Sequence, residues 1–397
     1  SLEPPLRIRD TSGVEASATL RQLLSHTSGL PVAWSGIHFD PADAPMPMEE
    51  YLADRLRIIH PPGERVVYAN DAFALAGLLA ARAAGRDFET LAREALLGPL
   101  DMSSSSFNST PLLRERLAAA YGTMGSDDRT DHADVSAIAP AGGLLTTAGD
   151  LAQFARLVLA EGEVDGVRLL QPESVREMLR LQARNHPEVE EGFGLGFAVR
   201  EGPGRRAAWW DGGLPGAASR LMVLPDDGVG VVLLSNLAGN GPVNVLSGRI
   251  VDLFLGAEPG PIARPDQAEI DQITGTYRPI DMLDPEVPLL HLFVNIEITH
   301  EGERLEMRMP IVGEEATLRP LGRGRFRVEG GLLHGATALV DGDHLYAHMI
   351  RGRRVASWET ANAFIVYAGL VALAVVSVPA IVIWRSVRRR QRAAATR

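Results

Sequence analysis

Thr19-Leu-Arg-Gln-Leu-Leu-Ser-His-Thr-Ser-Gly-Leu-Pro31 is the stretch on which the reading of this chain turns. Thr19 followed three residues later by Gln22 is a capping box: hydroxyl and amide satisfy backbone N–H groups that a first helical turn leaves without partners. Leu20, Leu23 and Leu24 then give a short apolar turn, which Ser25-His26-Thr27-Ser28-Gly29 stops.

Working outward, residues 1–258 mix helical and strand patterns. Asn70 is placed to cap a helix carrying Phe73, Leu75, Leu78 and Leu79 and ending near Gly85. Thr147 and Asp150 open another, with Leu151, Phe154, Leu157 and Val158 at helical spacing. Residues 207–211, 219–224 and 229–234 are then short apolar runs separated by Gly, Pro and Asp-Asp-Gly turns, which predicts a three-strand meander. A helix over 243–255 follows. Helices first, then strands and a helix, predict an α+β class in which helices pack on an antiparallel sheet.

Residues 256–266 are rich in Pro and Gly and read as a linker. Beyond them the period is two. Leu292, Val294, Ile296 and Ile298 alternate with Phe293, Asn295, Glu297 and Thr299, and Asp341-Gly342 marks a hairpin. Residues 259–356 are therefore expected to form a small antiparallel β domain, either a barrel or a sandwich.

Residues 363–384 are apolar and uncharged over about 22 positions, enough for a helix to span a bilayer of about 30 Å. Trp358 and Trp384 flank the run as interface anchors. Arg385, Arg388, Arg389, Arg390, Arg392 and Arg397 follow it. This bias predicts a cell-membrane protein whose residues 357–397 form one span and a cytoplasmic tail, with the rest outside the cell.

Composition narrows the chemistry. A net charge of -11 argues against a nucleic-acid partner, which needs a clustered basic surface. Zero cysteines exclude disulfides, thiolate metal sites and a Cys nucleophile. All 39 basic residues are arginine, so no Walker A loop can form. There is no Gly-x-Ser-x-Gly elbow and no His-Glu-x-x-His. His344 and His348 share one face of an expected strand without a third ligand nearby, so no metal is expected.

Six segments carry a resemblance. Beyond Thr19 to Pro31 they are Pro62-Gly63-Glu64 with Tyr68-Ala69-Asn70, Leu97-Gly98-Pro99-Leu100-Asp101-Met102, Gly142-Gly143-Leu144-Leu145 with Ala148, Asp150 and Leu151, Gly192-Phe193-Gly194-Leu195-Gly196, and Asp211-Gly212-Gly213-Leu214-Pro215-Gly216. In this order they resemble serine hydrolases of the β-lactamase and penicillin-binding-protein superfamily, class C-like branch. The resemblance implies acyl transfer to a serine, with small esters, amides or peptides as substrates and no cofactor.

Tyr68 and Asn70 match the family's Tyr-x-Asn motif, where the phenol shuttles a proton and the amide holds the substrate's carbonyl side. Trp210-Asp211-Gly212 falls where the family has Lys/His-x-Gly, so an uncharged indole replaces the cation and the strand is the implied substrate-binding edge. Gly213 matches the residue whose N–H forms half of the oxyanion hole. His26 lies in what resembles structural scaffolding and is not expected to be the base.

The family's nucleophile segment, Ser-x-x-Lys, should precede Thr19, and it does not occur in these residues. With Ser1 in first place, the expectation is an N-terminally truncated hydrolase. The alternative is an inactive, membrane-tethered protein that binds peptide or cell wall.

Overall fold

A computed structural model describes residues 6–32, 46–108, 110–122, 129–130, 135–202, 204–256, 265–281, 294–310, 313–356 and 359. The expected membrane span at 363–384 lies outside them. Among the described residues, no helix is long and apolar enough to cross a membrane.

The opening stretch folds as its capping box dictates. Helix α1 (Leu20–Leu24) starts at Thr19, whose hydroxyl accepts from Gln22 N while Gln22 Oε1 accepts from Thr19 N. The turn after it is laced to residues 59–67: Ile59 N donates to Gly29 O, Gly63 N to Thr27 O and Val67 N to His26 O, at 2.7–2.8 Å. Gly29 is required here. Its φ is +79°, and a Cβ would lie 2.0 Å from His60 O.

Helix α2 (Asn70–Ala84) buries Ala72, Leu75 and Leu78 against Leu23, Leu30, Tyr51 and Leu52 in a largely helical core. Helices α3 (Ala148–Leu159) and α4 (Pro172–Leu179) cover one face of an antiparallel sheet, through Val158, Val175, Leu179, Phe197 and Val223. The sheet runs β1 (Glu191–Phe193), β2 (Ala198–Arg200), β3 (Ala207–Leu214), β4 (Ala217–Leu224) and β5 (Val229–Ser235), in that spatial order. Helix α5 (Gly241–Leu255) covers the opposite face through Val251, against Ala207, Leu224 and Val231.

The expected meander is thus the larger part of a five-stranded sheet. β1 and β2 are too short to show an apolar period. β3 runs on to Leu214, through glycines that read as a turn in the sequence, because β4 pairs with them. Helix α5 begins at Gly241, two residues earlier than expected, since Pro242 fits a first turn.

After α6 (Gln267–Ile273), the C-terminal part is a closed eight-stranded barrel. Its strands are β6 (Gly275–Pro279), β7 (Ile296–Glu301), β8 (Arg304–Met309), β9 (Glu314–Gly322), β10 (Arg325–Glu329), β11 (Thr337–Asp341), β12 (His344–Ala347) and β13 (Ile350–Arg354). Closure comes from β6 pairing with β13, Tyr277 opposite Arg354. The period of two places Ile296, Ile298, Leu305 and Met307 inside. The first strand starts at Ile296; Leu292 and Phe293 lie outside the described residues. Asp341-Gly342 makes the β11–β12 turn, Gly342 at φ +56°.

Candidate active site

His26 sits, buried, at the centre of a cluster of aromatic rings. It adopts a left-handed φ of +55° in the polar turn after α1, a conformation His tolerates better than most side chains. Its Nδ1 accepts from Ala69 N at 3.1 Å, which assigns the ring proton to Nε2. Burial holds its pKa down at about 3, with nearby His348 adding to the effect, so the ring is neutral. Its ring centroid lies 4.8 Å from that of Tyr68 and 4.9 Å from that of Phe73, and 5.5 Å from Trp210 in a stacked arrangement. His26 orients the backbone beside Tyr68 and Asn70.

Tyr68 donates to Asn70 Oδ1 at 2.8 Å. Burial pushes the phenol up to about 12, so at neutral pH it is an uncharged donor. Asn70 is the first helical residue of α2 and is buried; the N-cap is Ala69, in an extended conformation with no side-chain cap. The expected capping role of Asn70 therefore goes unfilled. Its amide is turned to the phenol instead, which is how a two-residue spacing can bring both groups to one point.

The opposite wall is β3. β2 pairs only with residues 207–209 of this strand, so residues 210–214 have a strand partner on one side only among the described residues. Trp210 stands at the start of this open edge and stacks 6.1 Å from Tyr68. Strand alternation turns Asp211 to the other face, where Arg220 Nε lies 3.3 Å from its Oδ1. Burial pushes the Asp211 carboxyl up to about 6 against the pull of Arg220. Arg220 in turn lies over the Trp209 ring at 5.6 Å. Asp211 is thus apart from the expected substrate-binding set, and its role is to neutralise a buried guanidinium.

Gly212 pairs with Ser219 and Gly213 with Ala218. Gly213 is exposed, and a Cβ there would lie 2.7 Å from Asn240 Oδ1, so a larger residue would displace the Asn240 amide. The structure thus brings Tyr68, Asn70 and Trp210 together and sets Gly212 and Gly213 further along the same strand. His348 is not on a strand face with His344: it occupies the turn after β12, at φ +49°. Among the described residues, no group of three or more His, Cys, Asp or Glu side chains is placed to hold a metal ion.

The sequence passed over two contributors. Phe193 meets His26 edge-on at 4.8 Å and packs with Val66, Trp209 and Trp210. Its only signal was its place between Gly192 and Gly194. His348, in the barrel, lies 5.3 Å from Phe193 and 5.5 Å from Trp209.

This geometry sits within a recognisable protein family. Residues 5–253 match the Beta-lactamase family. The chain belongs to that family. Relatives of this β-lactamase-family chain include an uncharacterised protein of Mycobacterium tuberculosis, 32% identical over 223 residues, 49% of this chain and 55% of that protein. Putative beta-lactamase-like 1 of Homo sapiens is 32% identical over 272 residues, 64% of this chain and 51% of that protein. The chain therefore spans about half the length of these two relatives. Penicillin-binding protein 4 of Amycolatopsis lactamdurans is 28% identical over 285 residues, 66% of this chain and 72% of that protein. Among solved structures, an octameric penicillin-binding protein homologue from Pyrococcus abyssi superposes with a TM-score of 0.54 at 19% identity, over 87% of this chain and 80% of that chain. This likeness is one of fold.

Proposed function

We propose that this chain carries the proton-transfer and oxyanion sides of a serine acyl-transfer site, and that its Ser-x-x-Lys nucleophile lies in sequence outside these 397 residues. The observation that carries the reading is the Tyr68–Asn70 pair, hydrogen-bonded at 2.8 Å and facing the open edge of β3. In the reaction, the serine attacks an ester or amide carbonyl, Tyr68 with the incoming lysine passes the serine proton to the departing alcohol or amine as its C–O or C–N bond breaks, and the Gly213 N–H supports the oxyanion. A phenol held near 12 becomes a base only beside a cation, which that lysine supplies. Water then releases the acyl group.

Trp210 sets the substrate class. An indole offers a stacking face and one N–H but no charge, so neutral esters and amides are favoured over substrates bearing a carboxylate. The apolar run at 363–384, outside the described residues, holds the protein to the cell membrane with the hydrolase part outside.

The test is a fluorophosphonate probe applied to the protein at its natural length, followed by intact mass and peptide mapping. Labelling of a serine in Ser-x-x-Lys, lowered by about 10²-fold or more in Tyr68→Phe, is the expected result. A short-chain nitrophenyl ester is turned over faster than a D-Ala-D-Ala peptide. No labelled serine and no turnover of either substrate would sink the reading. The second reading, a binding protein on a hydrolase scaffold, is favoured by the His26–Trp210 stack filling the cleft floor, and it predicts that negative outcome.

A further inference from the structure

The barrel touches both walls of the cleft. Its β12–β13 turn carries His348 and Met349 into the cluster of Val66, Phe193, Ala198, Trp209 and Trp210. Met349 also packs on the barrel's own core, so it bridges the two hydrophobic centres. The turn is held on the sheet side by Asn185 Nδ2, which donates to His348 O at 3.1 Å.

A second contact reaches the Tyr68 wall. Asp281, just after β6 and buried, pairs with Arg351 Nε of β13 at 2.7 Å. It also lies 3.7 Å from His60 Nε2 and 3.9 Å from Arg65 Nη1. His60 and Arg65 belong to the loop laced to His26 and Thr27, the loop that ends in Tyr68. Val66 in that loop belongs to the cluster on which Met349 packs, and Trp209 in β3 lies 5.5 Å from His348.

From these contacts we infer that the β12–β13 turn, through Met349 and His348, is a positioning element that sets the spacing between the Tyr68–Asn70 wall and β3. The barrel is then part of the active site's frame, and its strands give the turn a rigid base. The inference rests on the acyl-transfer reading for its catalytic consequence and stands on geometry for its structural one. Met349 and His348 touch no reacting atom; they act through Val66, Trp209 and Phe193. Core interiors transmit such shifts because they are close-packed, so a gap opened at Met349 reaches both walls.

The experiment uses the protein at its natural length and compares Met349→Ala, the volume-conserving Met349→Leu, and His348→Asn, which keeps the left-handed backbone while removing the ring. Amide exchange is followed in peptides covering residues 62–70 and 207–214. Gly63, Val67 and Ala69 are useful reporters, since their N–H groups donate to the 26–27 segment. Met349→Ala and His348→Asn are expected to speed exchange in both peptides by about tenfold, leaving the other barrel strands unchanged, and Met349→Leu to restore the native rates. Nitrophenyl-ester turnover should fall about tenfold or more in kcat with KM little changed. Faster exchange confined to the barrel, or to one wall only, overturns the inference. If the native protein shows no turnover, the acyl-transfer reading fails while the exchange result still decides the positioning role.

Discussion

The two outer edges of the five-stranded sheet are treated in opposite ways. On the β1 side, Phe193 exchanges backbone hydrogen bonds with Ala183, and the barrel closes over Glu190 and Glu191. Arg327 of β10 reaches both carboxylates at 2.9–3.0 Å, and Thr337 N donates to Glu191 Oε2 at 2.9 Å. On the β5 side, among the described residues, Val229–Ser235 pairs only with β4. The helix beside it exposes large apolar side chains, Leu253 at 81%, Phe254 at 75% and Leu246, and Leu234 of β5 stands out with them.

A finished edge satisfies its backbone and buries its charges in pairs. An open edge leaves both a strand and an apolar helix face available. Under the acyl-transfer reading the nucleophile itself meets Tyr68 and β3, and β5 is the edge left for strands that accompany it.

The covered edge breaks most severely when its charges are separated. Arg327→Met leaves Glu191, whose carboxyl burial already raises, without its guanidinium. Denaturant unfolding should show a loss of about 3–5 kcal/mol, while pairing it with Glu191→Leu should recover most of this. A cost below about 1 kcal/mol would mean that the barrel does not hold this edge.

Acid sharpens the comparison. His26 and His348 are held near 3 and 4, below the usual histidine value of 6.5. Their stability contribution is complete above 6.5 and is lost as pH falls from there, because the unfolded chain takes up protons that the folded chain refuses. Asp211, raised to about 6 from 3.8, acts in the opposite sense over its own window. His348→Phe should therefore flatten the decline in unfolding free energy between pH 6.5 and 4.5 by about 1.4 kcal/mol per pH unit. Equal slopes for the variant and the native protein would show that His348 titrates normally.

The open edge should respond least. Leu253→Ser combined with Phe254→Ser should change the stability of the 397-residue chain by no more than about 0.5 kcal/mol. If the longer protein that the acyl-transfer reading proposes carries a segment on this edge, the same pair should cost about 2–4 kcal/mol there. Equal effects in the two forms would place that segment elsewhere.

Much of the architecture was legible where the signals are local. Thr19 and Gln22 gave the first helix because a capping box needs only four residues. Val294, Ile296 and Ile298 were legible as a strand because a half-buried sheet repeats every two residues. The glycines at 212–213 were legible as a motif but not as strand, since only β4 alongside shows that they are paired.

Site residues divided in the same manner. Tyr68 and Asn70 were legible as a motif, but their hydrogen bond shows only in the structure, where Ala69 takes the N-cap and frees the Asn70 amide for the phenol. Asp211 was assigned to the cleft because it follows Trp210, although a strand turns neighbours to opposite faces. His26 was legible as scaffolding rather than as a base, but its partner, the Ala69 N–H 43 positions away, shows only in the structure.

The sequence by itself determined the family, the longer helices and strands, and the Tyr68-x-Asn70 motif, all of which depend on short-range pattern or on motif order. Tertiary structure alone decided that His26 is a neutral buried spacer, that Asp211 serves Arg220, that eight strands close into a barrel, and that one of its turns enters the cleft cluster. Those outcomes depend on which distant segments pack together, and burial, charge pairing and strand closure arise only from such contacts.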